Sequence, residues 1–476
     1  MASNKTFDFK QNIAGALADK QLRSNFKNAT DTLRGKRLAV FTDPEETLRL
    51  RHVGNQIKRA GLNRLPELLE QLEAKCKENG IIVHWAETVD EANNIVLSIM
   101  EQHGAHKMVK GKSMVSEEMH LNKFLEDKGK LPLETDLGEY IIQLNNEPPS
   151  HIIVPAVHKN RKQIGQIFAD NIPGVSYTED TAELLAIARG RLREHYRTAD
   201  IGLSGVNFAI AESGTLCLVE NEGNGRMCTA VPPVHVALMG LEKVVGTLEE
   251  VPALYRLLCG SATGQRITTY FNMIKGPRKP GEKDGPKEVH LIILDNGRSK
   301  ILADKQLRQT LQCIRCGTCL NHCPVYTRIG GHAYGSTYPG PIGEILMPQI
   351  EGLDKKGNLA TASSLCNACE EVCPVMIPIP ALIRRLRDES YDMDENGVVK
   401  GHGCKKNLLE TVIWKAWKYM QVYPLLNTIM LKKLQLFGNK LPKVGPLKAW
   451  TSVRTAPKFA RQSLKDLAKK EGIRNE

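Results

Sequence analysis

The chain has 476 residues, 41% of them hydrophobic and 25% charged. This excludes wholesale disorder and fibrous repeats and, at ~150 residues per domain, suggests about three units. The net charge of +12 is concentrated at one end: Gly401 to Glu476 carry 16 basic and 4 acidic residues, leaving the first 400 balanced at 49 against 49. That distribution disfavours a general nucleic-acid footprint and singles out a basic C-terminal module.

Residues 1 to about 80 read mostly as helix, with Leu65, Leu68, Leu69 and Leu72 recurring at helical spacing opposite charged residues. Apolar runs then predict strands at Ile81–Trp85, Lys107–Lys110, Tyr140–Leu144, His151–Pro155, Val206–Ala211, Thr215–Val219 and Val289–Leu294. The stretches TVDEANNIVLSIMEQHG, SEEMHLNKFLEDKG and TEDTAELLAIARGRLREHYR between them have helical periodicity. Such alternation argues for an α/β domain with a largely parallel sheet. The basic, Gly/Pro-rich segment Lys275 to Lys287 reads as a solvated surface loop.

No G-x-G-x-x-G follows a strand and no Walker sequence appears, so the usual nicotinamide, flavin and ATP motifs are unsupported. A glycine-rich turn, Asp200-Ile-Gly-Leu-Ser-Gly, enters a strand that leaves through Glu212-Ser213-Gly214-Thr215. Polar groups at strand exits commonly line clefts, which makes Glu212 a weak catalytic candidate; a simple hairpin turn explains the glycines equally well. Lys112-Ser113, after another strand, could complete an anion site, so Lys112 is the second weak candidate. Asn221 to Arg226 is turn chemistry first and ligand binding second.

Seven of the twelve cysteines fall in two short windows. The first, Cys313-Ile-Arg-Cys316-Gly-Thr-Cys319-Leu-Asn-His-Cys323-Pro324, has the C-x2-C-x2-C-x3-C-P spacing of bacterial ferredoxins. Shifted by 50 residues it lays Cys316, Cys319, Cys323 and Pro324 onto Cys366, Cys369, Cys373 and Pro374, while Cys313 lands on Ser363. Two-residue gaps let three thiolates curl around one iron–sulfur cube, and the fourth, beyond a three-residue gap, ligates the other cluster. Cluster one then takes Cys313, Cys316, Cys319 and Cys373; cluster two takes Cys323, Cys366 and Cys369 and lacks a fourth ligand in the motif. The competing reading, two zinc knuckles, fits the doubled four-position run poorly. Two [4Fe–4S] clusters are expected, the second with Ser363, Cys404, an exogenous group or no ligand in its fourth position, the last giving a [3Fe–4S] form. His322 and His332 read as packing or surface residues. Cys76, Cys217, Cys228 and Cys259 read as small buried hydrophobes.

In the tail, Trp414, Trp417 and Trp450 lie among the basic residues. The combination suits docking to an acidic partner, peripheral contact with an anionic membrane, or packing on the chain's own cluster module. The longest apolar stretch, Val422 to Phe437, is broken by Lys432 and Lys433, so no spanning helix is expected. The N-terminus lacks an apolar signal core, and a cytoplasmic location is expected.

Taken in order, GKSMVSEE, ADIGLSGVNFAIAESGTL, ENEGNGR, CIRCGTCLNHCP, IGGHAYGSTYPGPIG and SSLCNACEEVCPV resemble the iron–sulfur B proteins of three-protein L-lactate utilisation systems. The resemblance covers nearly the whole chain, including the seven ligand cysteines and the serine at 363. It implies an N-terminal helical segment (1–65) and a LUD α/β domain similar to CoA-transferase and sugar-phosphate isomerase folds (66–298). An α-helical two-cluster ferredoxin-type domain (299–385) and a helical basic C-terminal extension (386–476) follow. It further implies an electron-carrying role in oxidising L-lactate to pyruvate beside two partners, a second iron–sulfur or Cys-rich subunit and a smaller LUD protein, with an unknown acceptor and no nucleic acid. The alternatives are a LUD domain that itself binds and oxidises substrate, and an iron–sulfur redox sensor. The missing flavin and nicotinamide motifs favour a non-catalytic electron-transfer subunit.

Overall fold

The computed structural model describes residues 9–390, 408–440 and 458–472, with Lys448, Thr451 and Thr455 between the last two stretches. Four helices open the chain: α1 (Phe9–Ala18), α2 (Lys20–Val40), α3 (Pro44–Asn63) and α4 (Leu65–Glu78). Asp19 caps α2 by accepting the Leu22 N–H at 2.9 Å, and Asp43 caps α3 through Glu45 and Glu46, with Pro44 in the first turn. The expected stripe of α4 is buried at Leu65, Leu68, Leu69 and Leu72, joined by Cys76.

The α/β region follows as β1 (Ile81–Ala86), α5 (Val89–Gln102), β2 (Lys107–Lys110), α6 (Met114–Glu118), α7 (Leu121–Asp127), β3 (Leu131–Glu134), α8 (Leu137–Leu144), α9 (Arg161–Asn171) and α10 (Thr181–Arg197). It continues through β4 (Ile201–Gly205), β5 (Phe208–Ile210), β6 (Thr215–Glu220), α11 (Asn224–Ala230), β7 (Val234–Gly240), β8 (Val244–Val245), α12 (Val251–Ala262), β9 (Tyr270–Ile274) and β10 (Glu288–Leu294). Six strands form a wholly parallel sheet in the order β1-β10-β7-β4-β2-β3. A smaller mixed sheet, β8-β5-β6-β9, packs beside it. All seven residues of β7 are buried, as expected for a central parallel strand covered on both faces.

Two predicted strands take other forms. Tyr140–Leu144 lies in α8, because Asp136 accepts the Glu139 N–H at 3.1 Å and the apolar run Tyr140-Ile141-Ile142 is a buried helical face. Such short apolar runs fit either element. His151–Pro155 is a loop whose backbone is satisfied locally: His151 Nδ1 accepts the N–H groups of Ile153 and Val154 at 2.9 and 3.2 Å. Val206–Ala211 shortens to Phe208–Ile210, since the chain crosses from the large sheet to the small one at Val206-Asn207.

After β10 come α13 (Arg298–Ala303), α14 (Thr318–His322), α15 (Tyr326–Ile329), α16 (Gly340–Ile350), α17 (Leu353–Lys356), α18 (Ala368–Glu371) and α19 (Ile379–Ser390). One continuous hydrophobic core runs from Phe26 and Leu62 through Leu254 and Leu291 to Leu320, Ile345 and Leu386. The N-terminal helices, the sheet and the cysteine-bearing segment are therefore one body. A second compact unit begins at residue 405. In it, α20 (Leu408–Val422) packs on α21 (Pro424–Phe437), and α22 spans Leu464–Lys470. The break at Tyr423-Pro424 is the one proline imposes on a continuing helix. Among the described residues, no helix is long and apolar enough to cross a membrane.

Candidate functional site

The 50-residue cysteine repeat is also a repeat of backbone shape. A 3-10 turn, Leu307–Gln312, delivers Cys313; Arg315 and Gly317 then have positive φ (62° and 70°), and α14 follows. In the second copy Gly357–Ala362 delivers Ser363, Leu365 and Asn367 have φ of 53° and 65°, and α18 follows. Positive φ at non-glycine residues needs surrounding structure to hold it. Here it turns peptide N–H groups inward: Arg315 donates to Cys313 Sγ at 3.4 Å, and Leu365 donates to Ser363 Oγ at 3.1 Å. Tyr326 and Ile377 donate likewise to Cys323 and Cys373 Sγ at 3.5 and 3.3 Å.

Helices α14 and α18 are in contact, and the last cysteine of the second run meets the first three of the first. Cys313, Cys316, Cys319 and Cys373 line one small cavity whose walls are otherwise largely apolar, including Ile152, Ile342, Val375 and Ile379. Burial raises the Cys316 and Cys319 thiols above their usual range and pushes Cys373 up to about 11, with neighbouring thiols adding to the shift. Four thiolates in an apolar shell need a cation to offset them, and inward peptide N–H groups favour sulfur-rich clusters; the donor set fits an iron–sulfur group. The remaining cysteines, Cys323, Cys366 and Cys369, neighbour one another; Cys366 is exposed, and burial pushes the other two up to about 12.

The N-terminal helices brace this region. Arg51 Nε donates to the Cys373 carbonyl at 3.0 Å, Arg37 to the Val372 carbonyl at 3.3 Å, and Asn55 to the Val375 carbonyl at 2.8 Å. From the α/β side, His151 pairs with Asn321 Oδ1 at 3.0 Å, and Tyr326 donates to the Ser150 carbonyl at 2.6 Å. His322 is tied to the Thr318 carbonyl of its own helix and His332 to the Pro148 carbonyl. Cys404 and Trp450 lie outside the described residues. Cys76, Cys217, Cys228 and Cys259 are buried, with thiols pushed up to about 11–12 by desolvation, as inert packing residues would be.

A second, larger cavity of about 400 Å³ opens beyond the carboxyl ends of β2, β3, β4 and β7, where parallel α/β sheets commonly bind ligands. Lys112 lines it and donates to the Ile153 carbonyl at 2.6 Å; Lys243 and Arg315 line it too. Glu212 does not: it is exposed on a turn and accepts the Leu248 N–H at 2.8 Å. The Asn221–Arg226 turn reaches the cavity because Glu220 folds it, accepting the N–H groups of Gly225 and Arg226 at 2.7 Å each. Gly202 lets α11 close on β4; a Cβ there would meet the Cys228 carbonyl oxygen at 1.8 Å.

Arg315 and Ile152 line both cavities. The Arg315 guanidinium lies over the Tyr338 ring at 4.8 Å, Nη2 donates to Glu242 at 3.1 Å, and Nη1 is buried without a protein partner. Glu242 also receives Arg298 at 2.8 Å; Arg298 binds Glu118 through both Nη atoms, and Tyr338 donates to Glu118 at 2.9 Å. This buried chain of charges joins the strand ends to the cysteine run. The two arginines hold Glu242 at about 2, while burial brings Lys243 down to about 8. Asp136, Glu220, Glu222 and Glu242 line the cavity as well, and Lys112 lies 3.9 Å from Asp136, so the polar group left open to a small anion beside the first thiol set is Arg315 Nη1. Sequence reading passes over Arg315, although a charged residue inside a ligand run is itself a signal; Lys243 and Glu242 carry none.

Family models match along the chain: LUD domain at residues 69–294, 4Fe-4S dicluster domain at 309–377, and Lactate utilisation protein B, C-terminal at 385–473. Lactate utilization protein B of Shouchella clausii is 41% identical over 472 residues, covering 98% of each chain. That of Geobacillus sp. is 42% identical over 467 residues, 96% of each. An Escherichia coli protein described as an uncharacterized electron transport protein is 39% identical over 470 residues, 97% of this chain and 96% of its own. A duf162 family crystal structure from Deinococcus radiodurans aligns to 48% of this chain and 98% of its own with 13% identity and a TM-score of 0.27, too weak a likeness to bear on the fold. With an α/β LUD domain, an iron–sulfur segment and a helical extension matched in that order, the chain belongs to the lactate utilisation protein B family.

Proposed function

We propose that this chain is the electron-carrying subunit of a multi-protein system that oxidises L-lactate to pyruvate, working with two further lactate-utilisation proteins. Cys313, Cys316, Cys319 and Cys373 would hold one cluster, and Cys323, Cys366 and Cys369 the other. When bound, such clusters accept and release single electrons. The observation that carries the reading is the single cavity shared by three cysteines of the first run and the last cysteine of the second. That interlocking brings the two sets together, the first in an apolar shell, with Arg37 and Arg51 supplying positive charge beside Cys373. The test is lactate-dependent bleaching of the visible iron–sulfur absorbance, with and without the partner proteins. Reduction is expected only in the complete mixture, and a fully reconstituted system that turns over lactate while these clusters stay oxidised would overturn the proposal.

One observation favours a second reading, in which the LUD cavity itself receives the substrate. Arg315, whose Nη1 is buried without a protein partner, and Lys243 suit the carboxylate of a small hydroxy acid, and Arg315 is shared with the thiol cavity. Titrating lactate and pyruvate into the full-length protein separates the two readings. Binding that weakens at least tenfold in Lys243→Met supports the cavity reading; no binding by the pure chain leaves substrate capture to a partner.

A further inference from the structure

Glu344 has no place in the site described so far. It sits on α16, a helix buried from Gly340 to Pro348, and is itself 0% exposed. Neither carboxylate oxygen has a hydrogen-bond partner. Burial pushes its carboxyl up to about 8, so the group either keeps its proton or gives it up to a positively charged partner.

Its surroundings point to that partner. Glu344 acts electrostatically on the thiols of Cys323 and Cys369, and at Cys369 it ranks ahead of Cys366. Helix α16 packs on α14, which leads into Cys323, and on the 3-10 turn Gly357–Ala362, which leads into Ser363. The carboxylate therefore belongs to the neighbourhood of the three cysteines whose set lacks a fourth member. Ser363 occupies the position of Cys313 in the repeat, and its Oγ accepts the Leu365 N–H at 3.1 Å as Cys313 Sγ accepts that of Arg315, so Ser363 is the competitor the test must separate from Glu344. Carboxylate oxygen is a common iron ligand, and both oxygens of Glu344 are buried without a hydrogen-bond partner. A carboxylate also carries the same single negative charge as the missing thiolate. Arg387, which donates to the Ser363 carbonyl at 2.5 Å, acts on Glu344 as an opposing charge.

We propose that Glu344 is the fourth ligand of the second cluster, an oxygen ligand arriving from α16 in place of a cysteine at position 363. This rests on the two-cluster reading above.

The test uses the full-length chain purified anaerobically, with iron content and EPR as readouts. Wild type should hold about eight irons. Glu344→Ala and the near-isosteric Glu344→Gln should each lose about one iron per chain and, after mild oxidation, show the signal of a three-iron cluster. The first cluster's signal should be unchanged in both, which reports correct folding. Ser363→Ala should retain the full iron complement. Glu344 variants with full iron and unaltered spectra, or a three-iron signal from Ser363→Ala instead, would overturn the assignment. Loss of both clusters together in Glu344→Gln would also overturn it, marking Glu344 as a packing residue. Wild type carrying a single cluster would sink the two-cluster reading itself, an outcome distinct from two intact clusters indifferent to Glu344.

Discussion

Replacing Arg298 with methionine tests the buried chain of charges that joins the sheet to the cysteine run. Arg298 is fully buried, and it donates to Glu242 at 2.8 Å, to Glu118 at 2.8 and 2.9 Å, and to the Asp295 carbonyl at 3.0 Å. Methionine fills much of the volume but leaves Glu118 with only neutral donors, Asn296 and Tyr338. Glu242 keeps Arg315. Breaking a buried pair from one side costs about 3–5 kcal/mol, against a total stability of about 5–15 kcal/mol. Glu242 points the same way: burial alone would raise its carboxyl, yet Arg298, Arg315 and Lys243 together hold it at about 2. Because that value is depressed, the contribution is complete above about pH 4.5 and lost as the pH falls through about 2. Anaerobic urea unfolding followed by far-UV circular dichroism should show Arg298→Met destabilised by about 3 kcal/mol or more. Adding Glu118→Gln to it should recover part of the loss, since an amide needs no cation. A single-variant loss below about 1 kcal/mol, the level of a surface pair, would refute the argument.

The shared thiol cavity predicts that Cys373→Ser perturbs the EPR signal of the cluster built on Cys313, Cys316 and Cys319; damage confined to the one built on Cys366 and Cys369 would reject the wiring. His151 and His158 are held down to about 4 and His235 to about 3 by burial, while an unfolded imidazole titrates near 6.5. The unfolded chain therefore binds more protons below pH 6.5, and stability measured by urea unfolding should decline from there to about pH 4; a flat profile would contradict the burial of these rings. Truncation after residue 400 should leave both clusters assembled and weaken partner binding in a salt-sensitive way, because Trp414 and Trp417 are 61% and 47% exposed in a basic tail that forms its own compact unit. Loss of clusters on truncation would make Cys404 a serious ligand candidate.

The parts of the fold legible in the sequence are those where one local signal dominates. The 50-residue shift that superposes the cysteine runs reappears as paired positive-φ residues, Arg315 with Leu365 and Gly317 with Asn367. Strands β1, β2, β6 and β10 announce themselves as short apolar runs. Strands β4 and β7 do not, since Gly202, Ser204 and His235 interrupt them; the interruption is satisfied internally, Ser204 Oγ meeting His235 Nε2 at 2.8 Å. The His151–Pro155 run fails as a strand because its apolar side chains serve docking: Ile153 packs on Gly317, where a Cβ would meet it at 3.1 Å. The anion cavity was half legible. Lys112 follows directly on a strand, but Arg315 and Lys243 reach the pocket from segments distant in sequence, and only the tertiary fold assembles them. Glu344 did leave a trace, as the lone charge in GPIGEILMPQI.

The contacts of α2 and α3 with the cysteine region also set a timetable for synthesis. Arg51 grips the carbonyl of a residue 322 positions later, and Asn55 one 320 positions later. At about 5–20 residues per second, the ribosome needs roughly 16–65 s to deliver those carbonyls after the helices have emerged. Through that interval the earliest helices can already close on β1, β8 and α12, but the contacts of Arg51 and Asn55 with the second cysteine run must wait. The oldest helices therefore make their last contacts with the newest segment, only after residue 375 has emerged.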